Sequence, residues 1–406
     1  MEKLFEILIN EETGVINCLC KEEAIVGEIP LHAYTAIGYS VINKLENTGN
    51  STIFNGSGFN FFNKRKAKIA AVFEKLERYA PFFEPENQIR TSFYDENSSK
   101  IFLDISEVTQ KKTNNLDKNT IYEWVLAKSN LQGDKWIPKQ LCYFLKNESE
   151  PLIREMVSTG LAAHTQVEEA YKRGILECIE RDSITIYWHR KISPSKLNKS
   201  TIHNSKFKKL VKTIADINLQ MEILDMSLDH NVPVYFCCIV SKKPPYFSCG
   251  AACDFNPEKA INKAVVEAMA TYNINVRNLF DPNKLELTIN DVKNAQNMDD
   301  HSSLFSSNDL VEQYEFLLQG KEITFIESIE GKLNNISFLE SEFLKKGIEI
   351  LTTDITPKDI KEIGVVVLRV IIPSFAFLEC TVPMCKTNRW GMSSVNENDF
   401  FPHPFP

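Results

Sequence analysis

Residues 159–188 read TGLAAHTQVEEAYKRGILECIERDSITIYW, and this stretch decides how the chain is built. From about residue 166 to 182 its apolar and charged positions follow the helical period. Ile175, Leu176, Cys178 and Ile179 fall on one side, opposite the carboxylates Glu177 and Glu180. Glu169 stands eight residues before Glu177 and eleven before Glu180, so it shares their face. A long helix is therefore expected, leading into the run ITIYWH. Its polar face carries ECIERD, with Arg181 directly after Glu180.

The same short word occurs upstream. RKAKIAAVFEKLERYA, residues 65–80, is expected to be a helix stopped by Pro81, and it places Glu74, Glu77 and Arg78 on one face. Downstream, a helix is expected at about 257–278, with Asn256 as its N-cap and Pro257 at its first position. It sets Lys263 and Glu267 one turn apart.

Further out, a helix is expected near 206–217 and strands at 221–227 and 233–240, the second within VPVYFCCIV at 232–240. Residues 105–135 are polar and rich in Asn and Lys, which suggests a surface excursion. Residues 285–308 read as a loop. The last hundred residues alternate helical and strand patterns, and FFPHPFP at 400–406 is expected to lie extended. KLENTGNS at 44–51 is turn-forming and divides an N-terminal segment, 1–50, from the main domain, 51–406. Mixed order of helices and strands points to an α+β or mixed-sheet arrangement.

Composition bounds the function. The chain has 406 residues, 43% apolar and 25% charged, close to the globular average, so disorder, collagen and coiled-coil readings fail. Its 46 Lys and Arg against 54 Asp and Glu give net −8, which argues against a general nucleic-acid binder. The N-terminus, MEKLFEILINEETGV, does not read as a signal peptide, and no apolar run is long enough to span a membrane. A cytoplasmic protein with reduced thiols is expected. The ten cysteines form no CxxC pair and have no His at zinc-finger spacing, so they read as core residues.

Taken singly, each charged helix reads as an amphipathic surface helix. Taken together, three acidic faces can converge on one pocket. Clustered carboxylates repel, and the simplest compensation is Mg²⁺, a hard ion that favours oxygen ligands and carries substrate phosphates. Arg78 and Arg181 then stand ready to grip phosphate oxygens. This would be an ATP site without a P-loop, since GxxxxGK[ST] does not occur.

At this point the residues resemble the YcaO family of ATP-using enzymes that activate peptide backbone amides. GSGFNFFNKRKAKIAAVFEKLERYA at 56–80, the central block at 159–188 and GAACDFNPEKAINKAVVEAMATYN at 250–273 carry the resemblance. It implies an α+β fold of mixed sheets with helices packed around a central ATP site. It implies ATP contacts at Glu74, Arg78, Glu169, Glu177, Arg181 and Lys263, and Mg²⁺ ligands at Glu77, Glu180 and Glu267. The ending PxPxP resembles the azoline-forming branch, where the terminal carboxylate, here on Pro406, is the implied base.

The implied activity is ATP-dependent cyclodehydration of Cys, Ser or Thr in a ribosomal precursor peptide to thiazoline or oxazoline. The chain has no obvious leader-binding domain, so a separate leader-binding partner protein is expected, and an FMN-dependent azoline dehydrogenase is a further candidate partner. Two rivals remain: thioamide or amidine formation on a peptide, and a non-catalytic ATP-binding scaffold. The second is motivated by Thr165, Arg173 and Ala270, which depart from the family's usual residues.

Overall fold

The computed structural model describes residues 2–11, 14–38, 55–83, 89–93, 101–109, 120–131, 133–145, 147, 149–281, 292, 295, 298–306, 310–380, 387, 389–395 and 401–405. A short helix, α1 (Glu2–Leu8), precedes strands β1 (Cys18–Lys21), β2 (His32–Ile37) and β3 (Gly56–Asn60), which pair antiparallel. Helix α2 (Lys64–Tyr79) lies on this small sheet. Asn63 starts it by accepting the backbone N–H groups of Arg65 and Lys66. The helix can lie this close only because β3 carries glycines: a Cβ on Gly58 would stand 2.0 Å from the Ala67 carbonyl oxygen. Pairing of β2 with β3 puts strands from both sides of residue 50 in one sheet. KLENTGNS itself lies outside the described residues.

The chain continues through β4 (Ile89–Phe93), β5 (Ile121–Ser129), β6 (Asp134–Pro138), β7 (Leu161–His164) and the long helix α3 (Val167–His189). Next come β8 (Ser195–Leu197), α4 (Ser205–Asp216), β9 (Gln220–Asp225), β10 (Val234–Val240), β11 (Phe247–Cys253) and α5 (Pro257–Phe280). The last part holds α6 (Met298–Leu304), α7 (Val311–Tyr314), β12 (Glu322–Ile323), α8 (Phe325–Ile329), α9 (Ile336–Lys346), β13 (Leu351–Asp354), α10 (Lys358–Glu362) and β14 (Val366–Ile371).

Two larger sheets result, one ordered β4-β5-β13-β14-β7 with β6 on β5, the other β11-β10-β9-β8-β12. Helix α3 packs against β7 and β14 of the first and β10 and β11 of the second. It is the shared wall between them. Helix α5 covers β10 and β11 from the other face, where Ala260, Ile261, Ala264 and Ala268 join the core with α4. This α+β architecture is the one expected from the mixed element order.

Three local expectations are corrected. Helix α3 does not end near 182 but runs through ITIYWH to His189, burying Ile184, Ile186 and Trp188. β-Branched residues prefer strands only mildly, and packing against both sheets overrides that preference. Ile121–Ser129 is not a surface excursion but a strand, with Tyr122, Trp124, Val125 and Ala127 buried. The flanking Asn and Lys residues masked its apolar face. Within 285–308, residues Met298–Leu304 form a helix.

The nine described cysteines are all free, and Cys237 and Cys238 are core residues of β10. The expected cap of α5 is present, with the Asn256 side chain accepting the Lys259 N–H at 3.0 Å. Asn256→Ala is expected to lower stability by about 1 kcal/mol. A shift in the denaturation midpoint checks this, and an unchanged midpoint would assign the helix start to packing alone.

Candidate nucleotide and metal site

The helices α2, α3 and α5 bring their charged faces together. Glu77 is held from α2 by the Ala163 N–H of β7, donated to Oε1 at 2.9 Å. From α3, Glu177 accepts the Gly160 N–H at 3.3 Å, where Gly160 has the positive φ of +84°. That conformation, and a Cβ position only 2.1 Å from the Val370 oxygen, both require glycine. Glu180, only 4% exposed, accepts the Cys253 N–H from the end of β11 at 3.0 Å. From α5, Lys263 reaches Glu267 at 3.4 Å. Backbone donors from β7, from the turn just before it and from β11 thus aim these carboxylates.

Arg181 lies between α3 and α5 with loose pairings, 3.7 Å to Glu177 and 3.9 Å to Glu180. Both distances are beyond a good hydrogen bond. Its Nη1 is buried without a hydrogen-bond partner among the described residues. Glu74 and Arg78 behave differently. They pair with each other at 2.6 Å, Glu74 accepts the Ser57 N–H at 2.7 Å, and Arg78 donates to the Asn55 carbonyl at 3.0 Å. The pair latches α2 to the start of β3 at the edge of the cluster. Glu169 is partly exposed near the start of α3, paired with Lys172. Its link to the cluster is Arg173, whose charge acts on both Glu169 and Glu77. Pro406 lies outside the described residues.

The electrostatics follow from crowding. Burial pushes the Glu77 carboxyl up to about 8, opposed by the Ala163 N–H and reinforced by the Glu177 and Glu74 charges. Burial also raises Glu177, against the pull of Arg181. Glu267 rises to about 7 through burial, with Lys263 opposing and Glu180 adding to the rise. Lys263 moves above the ordinary lysine range because Glu267, Glu180 and Glu177 favour its charge against desolvation. Glu77, Glu177 and Glu267 are only partly buried by area, and the Lys263 side chain is 57% exposed. Groups deeply surrounded by protein yet open to solvent line a cleft. An excess of carboxylates plus an unused guanidinium donor suits a Mg²⁺-bound polyphosphate.

This cluster sets a pH dependence. Carboxylates raised to about 7 and 8 are largely protonated below those values, and a cation competes with the protons. Affinity for a Mg²⁺-bound, non-hydrolysable ATP analogue is therefore expected to rise about tenfold between pH 6.5 and 8.5 and then level off. Calorimetric titration across that range measures it. A flat profile would mean these groups do not meet the cation.

Two features of the site are missing from the sequence reading. Arg369 of β14 is 2% exposed and donates to the Leu141 carbonyl at 2.9 Å, and its positive charge bears on Glu177. Its signal was an arginine inside an apolar strand. Asp182 is fully buried, accepts the Ala376 N–H at 2.8 Å and pairs with Arg389 at 2.7 Å, anchoring α3 from behind. The extended tail, whose carboxylate the resemblance put at the site, is buried through Phe405. Trp188 donates to the Phe401 carbonyl at 2.9 Å, the Cys249 thiol donates to Pro404 at 3.1 Å, and the Phe405 ring lies 4.3 Å from the Arg181 guanidinium. The tail reaches the cluster.

A family model described as YcaO cyclodehydratase, ATP- and Mg²⁺-binding, matches residues 56–376. An uncharacterised protein of Methanothermobacter thermautotrophicus is 24% identical over 237 residues, 56% of this chain and 59% of that protein. Among solved structures, a heterocyclase in complex with substrate and cofactor aligns with a TM-score of 0.75 and 19% identity, covering 93% of this chain and 52% of that one. The YcaO protein of Methanopyrus kandleri bound with AMPPCP and Mg²⁺ gives 0.63 and 16%, covering 92% and 90%. The E. coli microcin synthetase McbBCD complex with pro-MccB17 bound gives 0.66 and 12%, covering 98% and 99%. These likenesses show the fold. The chain spans between about half and three-fifths of the first two proteins' length. Among the described residues no helix is long and apolar enough to cross a membrane.

Proposed function

Because the chain belongs to the YcaO family, we propose that it uses ATP to close Cys, Ser or Thr side chains of a ribosomal precursor peptide into thiazoline or oxazoline rings. The observation that carries this reading is the convergence of Glu77, Glu177, Glu180 and Glu267 from three helices around Arg181 and Lys263. In this assignment Glu77, Glu180 and Glu267 hold Mg²⁺, and Glu177, Arg181 and Lys263 face the nucleotide. Glu74 and Arg78 bound the site from α2, and Glu169 from the start of α3. Bound Mg²⁺ supplies charge neutralisation for the phosphate oxygens.

The reaction balances simply. The side-chain sulfur or oxygen bonds to the preceding carbonyl carbon, giving up its proton. The former amide oxygen takes the terminal phosphoryl group from ATP, leaving ADP. Loss of that oxygen as phosphate, with the amide N–H proton, forms the C=N bond of the ring. Arg181, with an unspent buried donor, is placed to balance the charge of the transferring group.

The proton acceptor we propose is the Pro406 carboxylate, supported by the tail's course to Arg181 through Phe405. Delivery of the peptide by a leader-binding partner protein is supported by the likeness to the McbBCD assembly. An FMN-dependent azoline dehydrogenase acting on the product belongs to the same proposal.

The test is mass spectrometry of a precursor peptide after incubation with ATP, Mg²⁺ and the partner. Loss of one water per ring, coupled to peptide-dependent ATP consumption, is the expected result. Exchange of oxygen for sulfur, or condensation with an amine, would replace cyclisation by thioamide or amidine formation on the same site. ATP binding without turnover under any of these conditions would make the chain a scaffold.

A further inference from the structure

Where the buried tail meets the body of the protein, three metal-ligating side chains come together. His301 comes from α6, Cys380 from the segment after β14 and His403 from the tail. One ligand atom of each lies within 4.8 Å of the others, and all three residues are buried. The His301 and His403 rings are 4.7 Å apart between centroids and nearly perpendicular, at 70°. Side chains placed for packing alone would satisfy their polar atoms. Here both ring nitrogens of His403 and Nδ1 of His301 are buried with no partner in good hydrogen-bond geometry among the described residues. Backbone groups of His403 and Phe405 approach the two rings only loosely, so a ligand would satisfy these nitrogens better than the protein alone does.

The surroundings also prepare the donors. His301 Nε2–H donates to the Cys380 carbonyl at 3.1 Å, which makes Nδ1 the lone-pair nitrogen of the neutral ring. The Cys380 backbone N–H is in turn fixed by Glu155 at 2.9 Å. Imidazole ligates metal in its neutral form, through the nitrogen that carries no proton.

We propose that His301, Cys380 and His403 form a structural Zn²⁺ site that staples the C-terminal tail to the body of the protein. Two imidazoles and a thiolate match a borderline-soft ion that accepts nitrogen and sulfur. Ligand atoms of a tetrahedral zinc are about 3.5 Å apart, so the cluster needs to contract by about 1 Å. Binding releases the Cys380 thiol proton to solvent and leaves the ion one further position. The three ligands belong to segments distant in sequence, so the ion ties α6 and the segment after β14 to the tail. His403 stands two residues before Phe405, and the staple thereby holds Phe405 under Arg181.

The experiment is metal analysis of the full-length protein, purified without chelator, then stripped and reloaded with Zn²⁺ or Co²⁺. About one equivalent of zinc is expected, and the cobalt form should show the intense visible bands of tetrahedral coordination with thiolate-to-metal charge transfer. Cys380→Ser should abolish the charge-transfer band and reduce zinc to under about a tenth of an equivalent. His301→Gln should weaken zinc binding at least tenfold while keeping the band. In hydrogen exchange, the peptide covering residues 395–406 should lose protection when the wild-type protein is stripped. The wild-type measurements need no variant to fold. Wild-type protein that takes up neither metal, that takes up copper but not zinc, or that keeps its zinc after Cys380→Ser overturns the site. None of these readings depends on peptide turnover.

Discussion

Glu180→Gln is expected to reduce peptide-dependent ATP turnover by about 1000-fold while the protein stays folded. Glu180 is 4% exposed, and its Oε2 accepts the Cys253 N–H at 3.0 Å. A glutamine oxygen can keep that bond, so geometry is preserved while the charge is removed. The charge is what acts on Lys263 and Glu267 across the cleft. Its loss leaves the proposed Mg²⁺ short of a ligand and leaves Arg181 with one fewer counter-charge. Removing one of several crowded carboxylates also relieves repulsion, so thermal stability should be equal or slightly higher. Phosphate release and a melting curve on the same sample make the comparison. Turnover within tenfold of wild type would remove Glu180 from the metal site, and a collapsed melting curve would make it a structural residue.

Deleting Phe405 and Pro406 is expected to lower ring formation by about 100-fold, with nucleotide affinity changed by only a few-fold. Phe405 is 3% exposed, packs against Phe236 and carries the Arg181 guanidinium 4.3 Å above its ring. Without it, a wall of the cleft opens to water and Arg181 gains freedom. The carboxylates stay, because backbone N–H groups of β7, of the turn before it and of β11 hold Glu77, Glu177 and Glu180. The measurement is the rate of peptide ring closure beside the dissociation constant for the ATP analogue. Phe405→Leu separates the two contributions of the tail: it keeps an apolar wall but loses the ring face that attracts a cation. Ring closure at the wild-type rate in the deletion would assign the tail to stability and place the proton acceptor elsewhere.

Much of this architecture was readable from spacing. The helices α2, α4 and α5, the strands β9 and β10, and the Asn256 cap are local matters. A 3.6-residue period, an Asn side chain that can accept a free amide and a Pro that lacks one act within a few residues of themselves. The acidic faces were legible for the same reason, and so was the extended tail, since closely spaced prolines forbid a helix. By contrast, β5 hid among Lys and Asn residues. The second half of α3 hid behind β-branched residues whose weak strand preference lost to burial between two sheets.

What the sequence alone determined about this protein is which residues share a face: Glu169, Glu177 and Glu180 with Arg181, Glu74 and Glu77 with Arg78, and Lys263 with Glu267. Only the tertiary structure decided that these faces look at one another. It separated Glu74 and Arg78, committed to β3, from Glu77, Glu180 and Glu267, committed to the cleft. It brought Arg369 and the tail to the cluster, and it gathered His301, Cys380 and His403, which no spacing rule connects. The reason is one of range. Periodicity is set by the backbone of a single element, whereas the distance between elements is set by which apolar surfaces bury each other. A Gly58 that lets α2 approach, or an α3 wedged between two sheets, acts on residues hundreds of positions away in the chain.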